Sequence, residues 1–400
     1  MTDVGDGLRR ENRSQKNCHN HCQRFPHGTW RQGLVKRGPA SRLDMDQPWW
    51  KRPSTLPLVL IVMALLIIVV GGTIRIHDAG ESCPDWPKCF GTYGFMVDEA
   101  EQEAYWEANP DEIDSRGPDH RYTTFEIFVE WFHRLLVGII AIPILLNAIM
   151  AQKLKSEYGE GLRNLTVVSG ILLIIQAIAG YVTVRFDNAD WTVAMHLSLA
   201  SIFTSLLVWQ YIAMRAHEGT NWAFLSTSKA FLDRQKKRLI SITASVFILL
   251  ILGAWVSSTA GGNYNQACNI GFPNGWPKCQ GSILPSIDGP GILVQMVHRF
   301  GAAIVGLVLI LTSAKIRVDA RDSGEGEGFS KATEVVTGFW ILNVFVGGMY
   351  IVFANPDNFP EFISLLHLIF GVTSFVAAAV TLMMLRLAYL GRFNPTGENE

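Results

Sequence analysis

Four histidines occupy matching places in the two halves of the chain, His133 and His196 in the first and His298 and His367 in the second, each inside a long apolar segment. An ionisable side chain at membrane depth costs free energy, so it normally faces a cofactor, a cavity or a partner. Four at repeated positions imply two cofactor sites. Within each half the histidines fall on the second and fourth apolar segments. Both segments enter from the same face, and each histidine comes roughly two turns in, or about 10–15 Å at 1.5 Å per residue. Paired imidazoles at one depth are the geometry for gripping a heme iron from both sides within a bundle core. Zinc or copper fits less well. No carboxylate or thiol repeats with the histidines at that depth, and two ligands per site are too few for most metal ions.

The residues around the histidines repeat as well. Arg134 follows His133 as Arg299 follows His298, near the outer rim, where a guanidinium can pair with heme propionates or snorkel to lipid headgroups. Gln176, four residues before Gly180, matches Asn343, four before Gly347. Symmetry breaks at one place that matters: Glu130 stands three residues before His133, on the same helical face, where the second half has Gln295 before His298. A buried carboxylate can move protons or stabilise positive charge beside a cofactor; alternatively it hydrogen-bonds a neighbouring helix. The first half is therefore where chemistry is expected, and the second is expected to hold a permanent heme. Glu126, one turn earlier, either extends the acidic face or is a solvated interfacial acid.

The elements that must position these side chains are membrane spans. The 400 residues have a mean hydropathy of +0.21 and only 17% are charged, too apolar for an ordinary soluble enzyme of this size. Apolar runs long enough to cross about 30 Å of hydrocarbon lie near 56–76, 125–151, 164–185, 191–214, 239–260, 291–314, 332–353 and 361–387. The expected fold is an all-α integral membrane protein with eight transmembrane helices in two pseudo-symmetric four-helix bundles. Four spans per unit give both copies the same orientation, so the repeat is parallel. Residues 56–214 form the first unit and 239–387 the second. They are joined by a basic linker at 215–238, preceded by a polar extension at 1–55 and followed by a tail at 388–400.

Lys and Arg orient the chain. One side collects 26 of the 34 basic residues, including Arg234-Gln-Lys-Lys-Arg238, so both termini are expected in the cytoplasm. The net charge of −1 conceals this asymmetry and gives no reason to expect nucleic acid as a partner. The outer loop at 77–124 is acidic and reads as a solvated, partly helical lid. Of six cysteines, Cys83 and Cys89 fall in the first outer loop and Cys268 and Cys279 in the third, on the oxidising side, where two local disulfides are expected. The second pair reads as a brace. For the first, which closes over the reactive half, bracing and redox work remain equally open. The tract Cys18-His-Asn-His-Cys22 superficially resembles a metal site, but a polar extension ahead of a plausible start at Met45 is the simpler reading. No cleavable signal peptide is expected, since the first apolar run is long enough to stay as a helix.

Gly71-Gly-Thr-Ile-Arg75, Ser82-Cys-Pro-Asp-Trp-Pro87, the Glu130-x-x-His133-Arg134 helix, and His196, His298 and His367 together resemble the heme A synthase family. The resemblance spans residues 56 to about 387. It implies heme b as permanent cofactor on His298 and His367, and heme O as substrate between His133 and His196. It also implies Glu130 as a catalytic residue and heme A as product, made by oxidising a ring methyl to formyl through successive hydroxylations and loss of water. The implied setting is the lipid bilayer of a bacterial inner membrane, beside heme O synthase and terminal oxidase assembly, with an electron acceptor of unknown identity. A homo-oligomer stays open. Bis-histidine ligation leaves no free axial position on an iron, so if the substrate's own iron takes part, one histidine must leave. The competing readings are a diheme electron carrier, a thiol oxidoreductase using the outer cysteines, and a heme exporter or chaperone. The first is opposed by the Glu130 to Gln295 asymmetry, and the second leaves four histidines unexplained.

Overall fold

A computed structural model describes residues 48–220, 222–257, 267–355 and 359–393. The cysteine-histidine tract at 18–22 lies outside the described residues. Eight described helices are long and apolar enough to cross a membrane: α1 (Thr55–Ile76), α2 (Thr124–Lys153), α3 (Lys155–Arg185), α4 (Asp190–His217), α5 (Lys229–Val256), α6 (Pro290–Ser323), α7 (Glu327–Phe353) and α8 (Glu361–Phe393). All eight expected spans are present. Several extend beyond their apolar runs, because a helix continues into polar sequence wherever nothing stops it. In α3 the helix begins at Lys155, and a break at Gly159, with φ 81°, separates its first turn from the span proper.

In the first unit α1 packs on α2, α2 on α3, α3 on α4, and α4 back on α1. A buried polar thread ties three of these helices: Asn147 of α2 donates to Gln210 of α4 (2.6 Å), which donates in turn to Ser169 of α3 (2.5 Å). Such bonds substitute for the hydrophobic driving force that is missing between helices in lipid. In the second unit α5 packs on α6 and α6 on α7. Among the described residues two seams join the units. One is α4 against α5. The other is α1 against α8, close enough that a Cβ added to Gly72 would stand 3.0 Å from Leu365.

Trp86-Pro-Lys-Cys89 of the first outer loop recurs as Trp276-Pro-Lys-Cys279 of the third, and the two copies fold alike. Cys83 is bonded to Cys89 and Cys268 to Cys279, as expected. Each second cysteine starts a two-residue hairpin, closed by pairing of Cys89 with Thr92 and of Cys279 with Ser282. Both central residues have positive φ: Phe90 51° and Gly91 77°, Gln280 51° and Gly281 79°. That is the signature of the tight turn that matches strand twist, and glycine is the natural second residue. Phe90 is held there by packing on Tyr105, Trp106 and Tyr122. The acidic loop carries a helix, Glu99–Ala108, started by a capping box of Asp98 and Glu101. Glu126 is the equivalent member of the box that starts α2, where its carboxylate accepts the Thr123 N–H at 2.7 Å.

Candidate active site

Each of the four histidines rests on a glycine of the preceding membrane helix. A Cβ added to Gly71 (α1) would meet the His133 ring (α2) at 3.1 Å, and one on Gly180 (α3) the His196 ring (α4) at 3.1 Å. In the second unit Gly253 (α5) lies under His298 (α6) at 3.1 Å and Gly347 (α7) under His367 (α8) at 2.6 Å. Glycine here lets an imidazole lie flat against a neighbouring backbone. Of these glycines the pattern reading singled out Gly180 and Gly347. Gly71 and Gly253 were not matched to each other in that way, since no repeated polar neighbour marks them as Gln176 and Asn343 mark Gly180 and Gly347.

All four histidines line one cavity of ≈ 1390 Å³ that extends across both units. Single-ligand pockets run to about 1,000 Å³, so the space suits two large flat molecules. The His298 and His367 ring centres are 6.4 Å apart with the planes at 89°. Metal–imidazole bonds of about 2 Å on either side of one ion put ring centres roughly 6 Å apart, so this pair fits a bis-histidine iron. His367 Nδ1 lies 2.9 Å from the Asn343 carbonyl. A carbonyl only accepts, so Nδ1 carries the hydrogen and Nε2 keeps its lone pair for a metal. Nδ1 of His298 is buried without a partner.

Glu130 is buried at the cavity wall and holds three donors. Arg134 reaches its carboxylate at 2.5 Å, the Cys83 N–H at 2.9 Å and the Ser82 hydroxyl at 3.0 Å. Arg134 also donates to the Cys83 carbonyl at 2.6 Å and the Asp85 carbonyl at 2.5 Å. Acid and arginine thus form a clamp, one turn of α2 gripping the first disulfide loop by both its N–H and C=O groups. Arg299 grips the second loop in the same way, donating through Nη1 to Gly275 (2.8 Å) and Lys278 (2.9 Å). With Gln295 in place of the acid, its Nη2 stays buried without a partner. Pattern reading placed both arginines at the rim but did not foresee their bonds to loop carbonyls, which depend on a fold of the loop that spacing cannot give.

The outer mouth of the first unit is strongly polar. Arg75 bridges Asp190 at 3.5 Å and the Ser257 carbonyl at 3.0 Å, joining α1 to α4 and to the end of α5. Glu81 accepts from Asn188 at 3.0 Å and Ser115 at 3.2 Å. Burial pushes its carboxyl above the usual range, with Asp114 adding to the rise, and burial likewise raises Asp78 against the pull of Arg116 and Arg75. Tyr122, raised by burial and by its bond to Asp114, closes the network.

Comparison with known proteins gives this arrangement a family. The model of the COX15-CtaA family, described as cytochrome oxidase assembly protein, matches residues 54–379. The heme A synthase of Exiguobacterium sibiricum is 26% identical over 327 residues, covering 78% of this chain and 90% of that protein. The heme A synthase of Shewanella oneidensis is 23% identical over 321 residues, covering 74% and 87% respectively. That of Shouchella clausii is 25% identical over 258 residues, covering 64% and 73%. The match takes in seven of the described spans, the eighth as far as residue 379, and all four histidines, and the chain belongs to the COX15-CtaA family of cytochrome oxidase assembly proteins.

Proposed function

We propose that the protein is a heme A synthase, a membrane oxidoreductase that converts a ring methyl of heme O to formyl by successive hydroxylations and loss of water. The observation that carries this reading is a single cavity holding two histidine pairs, only one of which has an acid beside it. A diheme carrier needs no such difference between its halves.

His298 and His367 hold heme b, which supplies reversible one-electron chemistry when bound. The 6.4 Å spacing of their rings and the fixed Nδ1–H of His367 support this assignment. Arg299, with a free buried Nη2, takes a propionate there. Heme O lies between His133 and His196. On that side Arg134 spends its donors on Glu130 and the loop, which keeps the acid and the disulfide at the cavity wall.

Glu130 acts as proton acceptor. The Ser82 hydroxyl has one hydrogen and three acceptors near it: the Ala79 carbonyl at 2.8 Å, the Glu126 carbonyl at 2.9 Å and Glu130 Oε2 at 3.0 Å. When Glu130 takes a proton, Ser82 turns to a carbonyl and accepts from Oε2 instead. One proton can thereby be held at Oε2 without moving the backbone. Cys83 and Cys89 hold the loop that presents this pair.

The basic asymmetry and the disulfides on the opposite side support cytoplasmic termini in a bacterial inner membrane. Heme O synthase and terminal oxidase assembly are the partners this chemistry requires upstream and downstream. The test is mass spectrometry of hemes extracted from cells that make heme O, with and without the chain. Heme A or its hydroxylated precursor establishes the activity. Heme B alone, co-purifying while heme O is unchanged, supports the electron carrier instead.

A further inference from the structure

Gln176 and Asn343 hold corresponding places, yet they treat their histidines in opposite ways. Asn343 offers its backbone carbonyl to His367 Nδ1. Gln176 offers its side-chain amide nitrogen to His196, with Nε2 2.9 Å from the His196 carbonyl and 3.1 Å from His196 Nδ1. The carbonyl contact identifies the amide atom. An oxygen cannot donate to a carbonyl, so the NH2 group must face it. Nδ1 of His196 meets that same NH2 group and therefore accepts, which leaves the ring hydrogen on Nε2. His367 is thus set with its Nε2 lone pair free for iron, and His196 is set with that lone pair blocked by a hydrogen. Gln176 Oε1, meanwhile, is buried without a partner and lines the cavity.

We infer that Gln176 is a positioning residue that makes His196 the labile ligand of the substrate iron. For Nε2 of His196 to bind, the hydrogen must move to Nδ1. It then confronts the amide NH2, and the bond lasts only if Gln176 turns its Oε1 toward the ring and gives up the His196 carbonyl. No such cost falls on His367. The substrate iron is therefore held from the His133 side and opens on the His196 side. This answers which histidine must leave, and it lets product depart from a protein that keeps its other heme. The inference rests on the reading that heme O binds between His133 and His196.

The test is the rate at which purified protein loaded with heme O passes it to excess apomyoglobin, with the optical spin-state signature recorded alongside. Gln176→Glu replaces the NH2 donor by an acceptor for Nδ1–H, and Gln176→Met removes the donor without adding an acceptor. Changing the hydrogen-bond partner of a metal-binding histidine commonly shifts affinity about 10- to 100-fold. We expect heme O release to slow at least tenfold in Gln176→Glu and by less in Gln176→Met, with a gain in low-spin heme. Adding His196→Ala to Gln176→Glu should erase the gain. Release at or above the wild-type rate in both single variants overturns the inference, as does a gain that survives His196→Ala. His133→Ala reports on the underlying site: if it binds heme O as the wild type does, the placement of substrate fails, whatever the Gln176 variants do. The spectrum of the heme at His298 and His367, unchanged throughout, certifies the fold.

Discussion

Adding one methyl under each histidine should have unequal effects, and the inequality can be worked out beforehand. A Cβ at Gly347 would sit 2.6 Å from the His367 ring and one at Gly253 3.1 Å from the His298 ring, against an ordinary contact of at least 3.4 Å. The rings must therefore retreat by about 0.8 Å and about 0.3 Å respectively. Metal sites hold their ligands to about ±0.2 Å. Gly347→Ala thus pushes its ligand well outside the tolerance, and Gly253→Ala pushes its ligand only to the edge. His367 has little freedom to adjust, since moving its ring strains the 2.9 Å bond to Asn343. Overpacking by one methyl costs about 1–3 kcal/mol, or roughly 5- to 150-fold in affinity. Gly347→Ala is expected at the upper end and Gly253→Ala at or below the lower. The assay is heme b per mole of purified protein, with the low-spin optical band as a check on ligation. Both substitutions address one heme, so expression and folding differences are controlled by comparing them. Full heme b with an unaltered spectrum in Gly347→Ala, or equal loss in the two variants, would refute the reasoning.

Glu130→Gln should keep the heme b spectrum and make no heme A, while the lost charge-assisted bond to Arg134 lowers stability by about 2 kcal/mol; heme A at the wild-type rate sinks the assignment of the reactive half. Replacing Cys83 and Cys89 by serine releases a short loop closure of about 2 kcal/mol and loosens the backbone that Glu130 and Arg134 grip. Hydrogen exchange should rise across 82–92 and heme A production fall, whereas the pair at Cys268 and Cys279 should mainly affect heme b retention. Glu81 and Asp78 have raised folded-state carboxyl pKa values, so the folded loop binds protons more readily than the unfolded chain and stability falls as pH rises through that window. Proteolytic protection of 77–124 should therefore strengthen as pH drops from neutrality toward the ordinary carboxylate value of 4.5, and Glu81→Gln should flatten the profile. A steeper profile in Glu81→Gln counts against that sign.

The spans were readable because a bilayer imposes one long apolar run per crossing, and the four histidines because such runs rarely carry imidazole. The Glu130 to Gln295 difference was readable too, since both stand three residues before a histidine at the same register. What Glu130 touches was not. Its donors come from Ser82, Cys83 and Arg134, and the first two reach it only through a hairpin whose path depends on the disulfide and on Phe90 at positive φ. Gln176 and Asn343 could be paired by position, but side-chain amide against backbone carbonyl is a matter of a single methylene and a local rotamer. Nor does periodicity tell that one cavity serves both histidine pairs. That follows from which helix edges meet at the two seams, a long-range choice that short patterns do not encode.

The seam between α1 and α8 sets an order of manufacture. Gly72 of the first span lies against Leu365 of the last, and His77 just beyond α1 pairs with Glu361 at the start of α8 at 3.3 Å. His367, one of the proposed axial ligands, is carried on that last span. A ribosome makes it after the seven other described spans, so the cavity stays open along one side until α8 has been added. Neither proposed heme site has its full wall before then. If the two histidine pairs hold hemes as proposed, loading coincides with or follows insertion of α8, and a chain truncated before residue 361 should reach the membrane as an empty, seven-helix product rather than as a half-active enzyme.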